Sequence, residues 1–219
     1  MEKSLEEIGM ESIVDSPKSD LKSSKIDLSN LVNNNENKTK DDKIKEILKL
    51  TGCQKDVFSK NITFEDVDVE NFRQTLKILN SLKFSKFELS KMLSQNNDLL
   101  YIESIYVEKC INALVQYFKE VEIVKQVVYM NPYIISKECI ENIKVVREVF
   151  YDFNIETQDQ IYLLEENSNI LNLDKHTLVK SLEIIKEYTK NHITFIETII
   201  NNPVIIGCVD IDFIIQNIN

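Results

Sequence analysis

Apolar residues along most of the chain recur at the spacing expected for α-helices. From about residue 44 onwards, Leu, Ile and Val stand three and four positions apart, in segments separated by short polar turns. This period predicts amphipathic helices. Only three glycines and three prolines occur in 219 residues, too few for the frequent turns of an all-β fold. We therefore predict an all-α fold.

An asparagine recurs at an almost constant interval through the helical part of the sequence. The intervals are 35, 36 and 35 residues, between Asn96, Asn131, Asn167 and Asn202. A pair of aliphatic residues begins three positions after each asparagine: Leu99-Leu100, Ile134-Ile135, Ile170-Leu171 and Ile205-Ile206. A fixed period of this length is typical of stacked-repeat proteins. We predict about four to five helical repeats of about 35 residues.

Proline follows the asparagine in two of the repeats, at Pro132 and Pro203. A residue before proline disfavours the α-helical conformation, so we predict that the preceding helix ends at Asn131 and at Asn202. The fixed φ of proline suits the first position of a new short helical turn. Each repeat is then a helix, an asparagine turn whose aliphatic pair fills the gap between neighbouring helices, and a second helix. The predicted turn residues are Asn96, Asn131, Pro132, Asn167, Asn202 and Pro203.

The N-terminal segment differs from the rest of the chain. Residues 1–43 are polar, with scattered charges and an asparagine-rich run at 33–37. Such a segment buries too little apolar surface to offset the entropy that folding would cost it. We predict a disordered acidic tail over 1–43 and a helical-repeat domain over 44–219, with a degenerate first repeat near Asn61.

The sequence carries no apolar run that would serve as a signal peptide or a membrane span. Its N-terminus contains acids, unlike an Arg-rich mitochondrial presequence. Its four cysteines lie far apart, without a C-x-x-C pair: Cys53, Cys110, Cys139 and Cys208. We expect reduced, mostly buried thiols, a cytoplasmic location and no membrane partner.

Several sequence columns agree together across residues 60–219. Leu82-Lys83-Phe84-Ser85 precedes a predicted first helix, and the turns include Asn96-Asn97-Asp98-Leu99-Leu100, Asn131-Pro132-Tyr133-Ile134-Ile135 and Asn202-Pro203-Val204-Ile205-Ile206. This pattern resembles the mitochondrial transcription termination factor (mTERF) family, whose repeats combine Gly-Phe-Ser, a helix, an Asn-Pro-x-Leu-Leu turn and a second helix. The resemblance implies a right-handed superhelical repeat array whose concave side binds nucleic acid. Members of the family act in organellar transcription, ribosome assembly or RNA processing.

A lysine stands thirteen residues after three of the asparagines, at Lys109, Lys144 and Lys180. We call these three residues the lysine ladder, which five further cations could widen: Lys83, Lys119, Lys125, Arg147 and Lys186. Cations repeated along one surface suit a phosphate backbone. The alternative is that they are solvated lysines in a part of the helix where the helix dipole favours cations. The net charge of −10 opposes long-range attraction to phosphate, although a local basic stripe remains compatible with it.

An acid stands seven residues after each of the same asparagines, with a fourth acid in the degenerate repeat: Glu103, Glu138, Asp174 and Asp68. Carboxylates spaced one per repeat lie too far apart to share a proton or a metal ion. Near the first turn of a second helix, they complement the helix dipole. We interpret them as structural.

No catalytic, cofactor or metal-binding motif is evident in the sequence. The two histidines, His176 and His192, lack partners at ligand spacing, and neither a nucleophile elbow nor a glycine-rich phosphate loop occurs. We expect no enzymatic activity, no cofactor and no small-molecule substrate. Aromatic residues near the repeat junctions suit either base stacking or core packing. They are Tyr106, Tyr117, Phe118, Tyr129, Tyr133, Phe150, Tyr151 and Phe153.

Two functions fit these features. The first is a monomeric helical-repeat module that binds nucleic acid and regulates transcription or an RNA-related process. Its candidate contact residues are Lys109, Lys144, Arg147 and Lys180 on the concave side. The alternative is an acidic protein–protein interaction scaffold that binds no nucleic acid. We favour the first because of the family resemblance; a ladder free of neighbouring acids would support it, and a neutralised ladder would support the second.

Overall fold

The computed structural model describes residues 39–53, 58, 63–189 and 191–218, and these ranges are helical without any β-strand. The all-α prediction is confirmed for this part of the chain. Its ten α-helices are α1 (Lys40–Thr51), α2 (Val69–Ser81), α3 (Lys86–Gln95), α4 (Ser104–Phe118), α5 (Val121–Met130), α6 (Cys139–Asp152), α7 (Thr157–Glu166), α8 (Lys175–Tyr188), α9 (His192–Asn201) and α10 (Ile211–Ile218).

The first helix begins earlier than the sequence pattern suggests. Thr39 caps α1 by accepting a hydrogen bond from the backbone N–H of Asp42, so the helix includes Lys40 to Lys43, which we assigned to the tail. Residues 1–38, the rest of the predicted tail, lie outside the described residues. The turn predicted at Asn61 lies outside them as well.

Each recurring asparagine ends one helix and starts a short 3₁₀ turn. The turns are Asn97–Leu100, Pro132–Ile134, Ser168–Asn172 and Pro203–Ile205. The asparagines themselves have φ between −127° and −138° and ψ between 64° and 94°, outside the helical region. The predicted helix–turn–helix order is therefore confirmed, with and without proline.

The acids seven residues after the asparagines occupy helix N-cap positions. Asp68 caps α2 and Asp174 caps α8, each accepting hydrogen bonds from backbone N–H groups of the first turn. The hydrogen bond with Thr177 lowers the pKa of Asp174. Glu103 and Glu138 stand at the N-caps of α4 and α6 without a side-chain hydrogen bond to the helix. The structural interpretation therefore holds for Asp68 and Asp174, which act as helix caps.

The second helices of successive repeats pack side by side. Helix α2 contacts α4, α4 contacts α6, α6 contacts α8, and α8 contacts α10. Among the first helices, α5 contacts α7, and α7 contacts α9. The aliphatic pair of every turn is at most 3% exposed, so these residues fill the space between helices as predicted. Full burial of such a side chain contributes roughly 1.5–3 kcal/mol.

The turn asparagines connect each repeat to the next one. The side-chain amide of Asn96 donates to the carbonyl of Pro132 at 3.1 Å, and that of Asn131 donates to the carbonyl of Ser168 at 3.2 Å. Asn167 repeats the contact with Pro203 at 3.0 Å. In all three contacts, the accepting carbonyl belongs to the first residue of the next 3₁₀ turn. Polar groups in a protein interior need hydrogen-bond partners, and the carbonyl of the next turn provides one for each amide. The asparagine side chain can make this contact because its amide nitrogen is a hydrogen-bond donor.

Two cysteines are paired, contrary to the expectation of four reduced thiols. Cys110 on α4 and Cys139 at the start of α6 form a disulfide with a Cα–Cα distance of 5.6 Å. Their separation of 29 residues gives no local motif. The pair arises because adjacent second helices bring the middle of one beside the N-terminus of the next. Cys53 is free and buried, and Cys208 is free and half-buried.

Among the helices that the structure describes, none is both long enough and apolar enough to cross a lipid bilayer.

Candidate functional site

An open groove of about 740 Å³ runs between the end of α4, the exposed face of α6 and the start of α7. This volume is in the range of pockets that bind small ligands or short segments of larger ones. Seven charged or aromatic residues dominate its lining: Tyr117, Lys119, Lys144, Arg147, Glu148, Tyr151 and Asp152. We call it the α4–α6 groove.

Three cations from two helices meet at the α4–α6 groove. Lys144 and Arg147 are one helical turn apart on α6, so they lie on the same face. Lys119 is the residue that ends α4: its backbone adopts the left-handed conformation, with φ of 64°, and its N–H donates to the carbonyl of Val115. This helix end places the Lys119 side chain at the groove.

The floor of the groove is held by a polar network. The guanidinium of Arg147 lies over the ring of Tyr117, 5.6 Å from its centroid. The Tyr117 hydroxyl donates to Oε1 of Gln160 at 2.9 Å, and Nε2 of the buried Gln160 donates to the carbonyl of Ile155 at 2.8 Å. Burial raises the pKa of Tyr117, so its hydroxyl stays protonated and keeps donating. The network fixes the position of Arg147 relative to α7.

Tyr151 is the more exposed of the two tyrosines that line the groove, with 79% of its surface accessible. It lies one helical turn beyond Arg147 on α6. An aromatic face beside cations is a surface on which a base or another planar group can stack. The groove therefore combines positive charge with an accessible ring.

Acids share the groove with these cations. Lys144 Nζ lies 3.6 Å from the carboxylate of Glu141, and the carboxylate of Glu148 lies 3.6 Å from Lys175 Nζ on α8. These exposed ion pairs are weak and compete with water. Among the described residues, no carboxylate is within 4 Å of a side-chain nitrogen of Arg147 or Lys119. These two side chains are available to an anionic ligand, and the weak, exposed ion pair of Lys144 leaves this lysine available as well.

The lysine ladder is exposed on three helices, of which α4 contacts α6 and α6 contacts α8. Only Lys144 lines the α4–α6 groove, where Arg147 and Lys119 join it. Lys109 lies nearer the start of α4, beside the ring of Tyr106 at 6.0 Å, and Lys180 lies on α8. The structure thus brings Lys144 and Arg147 together and leaves Lys109 and Lys180 outside the groove.

The sequence pattern did not single out the groove as a site. Arg147 has no basic counterpart in the neighbouring repeats, where Asn112 and Glu183 occupy the equivalent positions. The contributions of Glu148 and Gln160 depend on tertiary packing and have no sequence signal. The loss of periodicity at Arg147 was the one signal that could have indicated this junction.

The predicted aromatic cluster divides between core and surface. Phe118, Phe150 and Phe153 are buried, as core packing requires, whereas Tyr133 and Tyr151 are exposed. Within the described ranges, no group of three or more His, Cys, Asp or Glu side chains is arranged to hold a metal ion. His192 stacks on Phe195 at 5.9 Å.

No protein-family model matches this chain, and no match was found among the curated proteins.

Proposed function

We propose that this chain is a non-enzymatic helical-repeat module that binds nucleic acid through the α4–α6 groove. The observation that carries the proposal is the convergence of Lys119, Lys144 and Arg147 beside the exposed ring of Tyr151. Cations supply affinity for the phosphate backbone, and this affinity depends on salt because binding releases counterions. The fixed position of Arg147 on Tyr117 limits the side-chain entropy that binding would cost.

The exposed ring favours a single-stranded ligand. In a duplex the base faces are stacked and inaccessible, whereas a single strand can place a base on Tyr151 while its phosphates contact the cations. Such stacking contributes roughly 1–3 kcal/mol per base and tolerates any base. We therefore expect little sequence preference from this groove.

The proposal includes membership of an mTERF-like family and a right-handed superhelical arrangement of the repeats. It is supported by the recurring asparagine turns and by the side-by-side contacts of the second helices. A crystal structure that showed the repeats stacked with a left-handed rotation would contradict this part.

The proposal is tested by fluorescence-anisotropy titrations of labelled single-stranded RNA, single-stranded DNA and duplex DNA. At low salt we expect the single strands to bind more tightly than the duplex. Three phosphate contacts predict a slope of log K against log salt concentration of roughly −2. A Lys119/Lys144/Arg147→Glu variant should lose this binding.

The matched control is a Lys109/Lys180→Glu variant, which reverses exposed lysines on the same row of helices but outside the groove. It should keep most of the affinity. The first variant reverses three charges and the control reverses two, so equal losses of affinity per reversed charge would show that the effect is one of total charge. Circular dichroism should show the same helicity for all three proteins.

A second function, binding of a protein segment, is favoured by the acids of the same groove. Glu148 and Asp152 line it, Glu141 pairs with Lys144, and the whole chain carries a net charge of −10. Acids beside the lysine ladder, such as Glu141 beside Lys144, favour a protein-interaction scaffold over a nucleic-acid-binding module. Absence of oligonucleotide binding even at low salt would leave this second function as the better proposal.

A further inference from the structure

The two paired cysteines lie beside the walls of the α4–α6 groove. Cys110 is less than two helical turns before Gln116, where α4 begins to line the groove, and Cys139 is five residues before Lys144 on α6. Both are almost fully buried, at 1% and 2% exposure. A bond between them therefore joins the two helices that form the groove.

The reduced form of the pair is also accommodated. The sulfur of Cys110 lies 3.5 Å from the carbonyl oxygen of Ile134, within reach of a thiol donor. The surroundings are apolar core, which suits a neutral thiol as well as a disulfide. Neither state leaves a buried charge without a partner.

The pair belongs to this junction alone among the repeats defined by the four asparagines. At the next junction, the equivalent positions are Val145 and Lys175, which cannot form a bond of this kind. At the junction between α8 and α10, the residue equivalent to Cys110 is Ser181. Its hydroxyl accepts a hydrogen bond from the backbone N–H of Gly207 at 3.0 Å. The cysteine pair and the groove thus coincide at one junction.

We propose that Cys110 and Cys139 form a reversible oxidation site that locks α4 to α6 and holds the α4–α6 groove in its binding-ready shape. The oxidant in this proposal is a low-molecular-weight disulfide. We call the Cys110–Cys139 bond between α4 and α6 the lock. Its effect on nucleic-acid affinity rests on the proposed function, whereas the formation of the bond does not.

The chemistry is a two-step thiol–disulfide exchange. The thiolate of one cysteine attacks the small disulfide, forms a mixed disulfide and releases one small thiolate. The second cysteine thiolate then attacks the mixed disulfide, forms the Cys110–Cys139 bond and releases the second small thiolate. The two protons lost by the cysteines are taken up by the two released thiolates. Because both sulfurs are buried, exchange requires opening of the α4–α6 junction and should be slow.

Alkylation and melting test the lock in the full-length protein. After treatment with oxidised glutathione, mass spectrometry of the denatured, alkylated chain should show label on Cys53 and Cys208 only. Closing a loop of this length should raise the melting temperature of the oxidised form by roughly 10 °C over the reduced form. Label on all four cysteines, or equal melting temperatures, would overturn the proposal.

Two variants separate the pair from the other cysteines. A Cys53/Cys208→Ala variant should keep the difference between oxidised and reduced melting temperatures. A Cys110/Cys139→Ala variant should lose it, whatever its own stability, because only the difference is compared. A difference that survives in the second variant would assign the redox effect elsewhere.

Affinity measurements separate the lock from the proposed function. A locked groove should bind a single-stranded oligonucleotide several-fold more tightly, since less ordering is needed on binding. Equal affinity of the oxidised and reduced forms would overturn the link between the lock and the groove. Binding by neither form would contradict the proposed function, and the melting difference would still decide the lock.

Discussion

The junction between α4 and α6 and the junction between α6 and α8 share one scaffold but present different surfaces. In both, second helices pack side by side, and a turn asparagine donates to the backbone of the next repeat. The surfaces diverge at the position of Arg147, which Glu183 occupies one repeat later. The disulfide of the first junction gives way to Val145 and Lys175.

This difference separates residues that build the repeat from residues that distinguish one repeat from another. The asparagines and aliphatic pairs recur because every junction has the same backbone to satisfy and the same space to fill. Arg147 and the cysteine pair occur once, and no requirement of the scaffold explains them. Residues that depart from the repeat pattern are therefore the better candidates for a functional role.

The largest expected effect is on the shared scaffold. Replacing Asn96 or Asn131 by alanine removes the donor to the next repeat and leaves a buried carbonyl with one partner fewer. We expect each change to lower the free energy of unfolding by about 2 kcal/mol, measured by urea denaturation. The two losses should be similar, because the Oδ1 of each asparagine also accepts a hydrogen bond, from the backbone N–H of Asp98 at Asn96 and from the side-chain amide of Asn172 at Asn131.

The control for these variants is Asn169→Ala, which changes an exposed asparagine within a 3₁₀ turn and should alter stability by less than about 0.5 kcal/mol. If Asn96→Ala and Asn131→Ala behaved like this control, the shared scaffold would not depend on the asparagine contacts.

The next largest expected effect is on oligonucleotide binding, when the charges at position 147 and at the equivalent position 183 are reversed. Arg147→Glu should weaken binding of a single-stranded oligonucleotide by about tenfold or more at low salt, the equivalent of one charge-assisted contact. Glu183→Arg places the same charge at the equivalent position of the next junction. Anisotropy titration should show that it does not restore the affinity of Arg147→Glu. Restoration would mean that net charge, rather than the groove, determines binding.

A smaller effect is expected at two lysines with a left-handed backbone, of which one lies at the groove: a gain in stability at both, and a loss of binding at the groove lysine only. Lys83 and Lys119 both have positive φ, at 58° and 64°. Glycine tolerates this conformation, so Lys83→Gly and Lys119→Gly should each raise the free energy of unfolding by up to about 1 kcal/mol. Only Lys119→Gly should also weaken oligonucleotide binding. Weaker binding by Lys83→Gly would show that the site extends beyond the groove.

The smallest effect concerns pH and the scaffold away from the groove. Glu88 accepts from the backbone N–H of Ser85 in a capping box and pairs with Lys125, and these contacts lower its pKa to about 2 from 4.5. Its stabilisation is therefore complete above pH 4.5 and is lost as the pH falls towards 2. Glu88→Gln should melt below the wild type at pH 7, and the two melting curves should converge near pH 2. A gap that stays constant with pH would contradict the pKa shift.

The sequence predicted those parts of the fold that follow from local and periodic constraints. Helix type, the turns at Asn131 and Asn202, and the burial of Ile134 and Ile135 all follow from spacing and from proline geometry. The start of α1 was placed late because Thr39 caps a polar first turn, in which no apolar period is visible.

The candidate site was only partly predictable. Lys119, Lys144 and Arg147 were all named from the sequence, but their convergence depends on the left-handed end of α4. The Tyr117–Gln160 hydrogen bond joins residues 43 positions apart, and the cysteines pair only because two helices align. Contacts of this kind are set by tertiary packing, which a single sequence does not display.

Hydrogen–deuterium exchange of the full chain, with and without a saturating single-stranded oligonucleotide, tests whether the binding site lies at one junction of the periodic scaffold. We expect slower exchange confined to the end of α4, to α6 and to the start of α7. Protection spread evenly over α4, α6 and α8, or confined to α3 and α5, would contradict it.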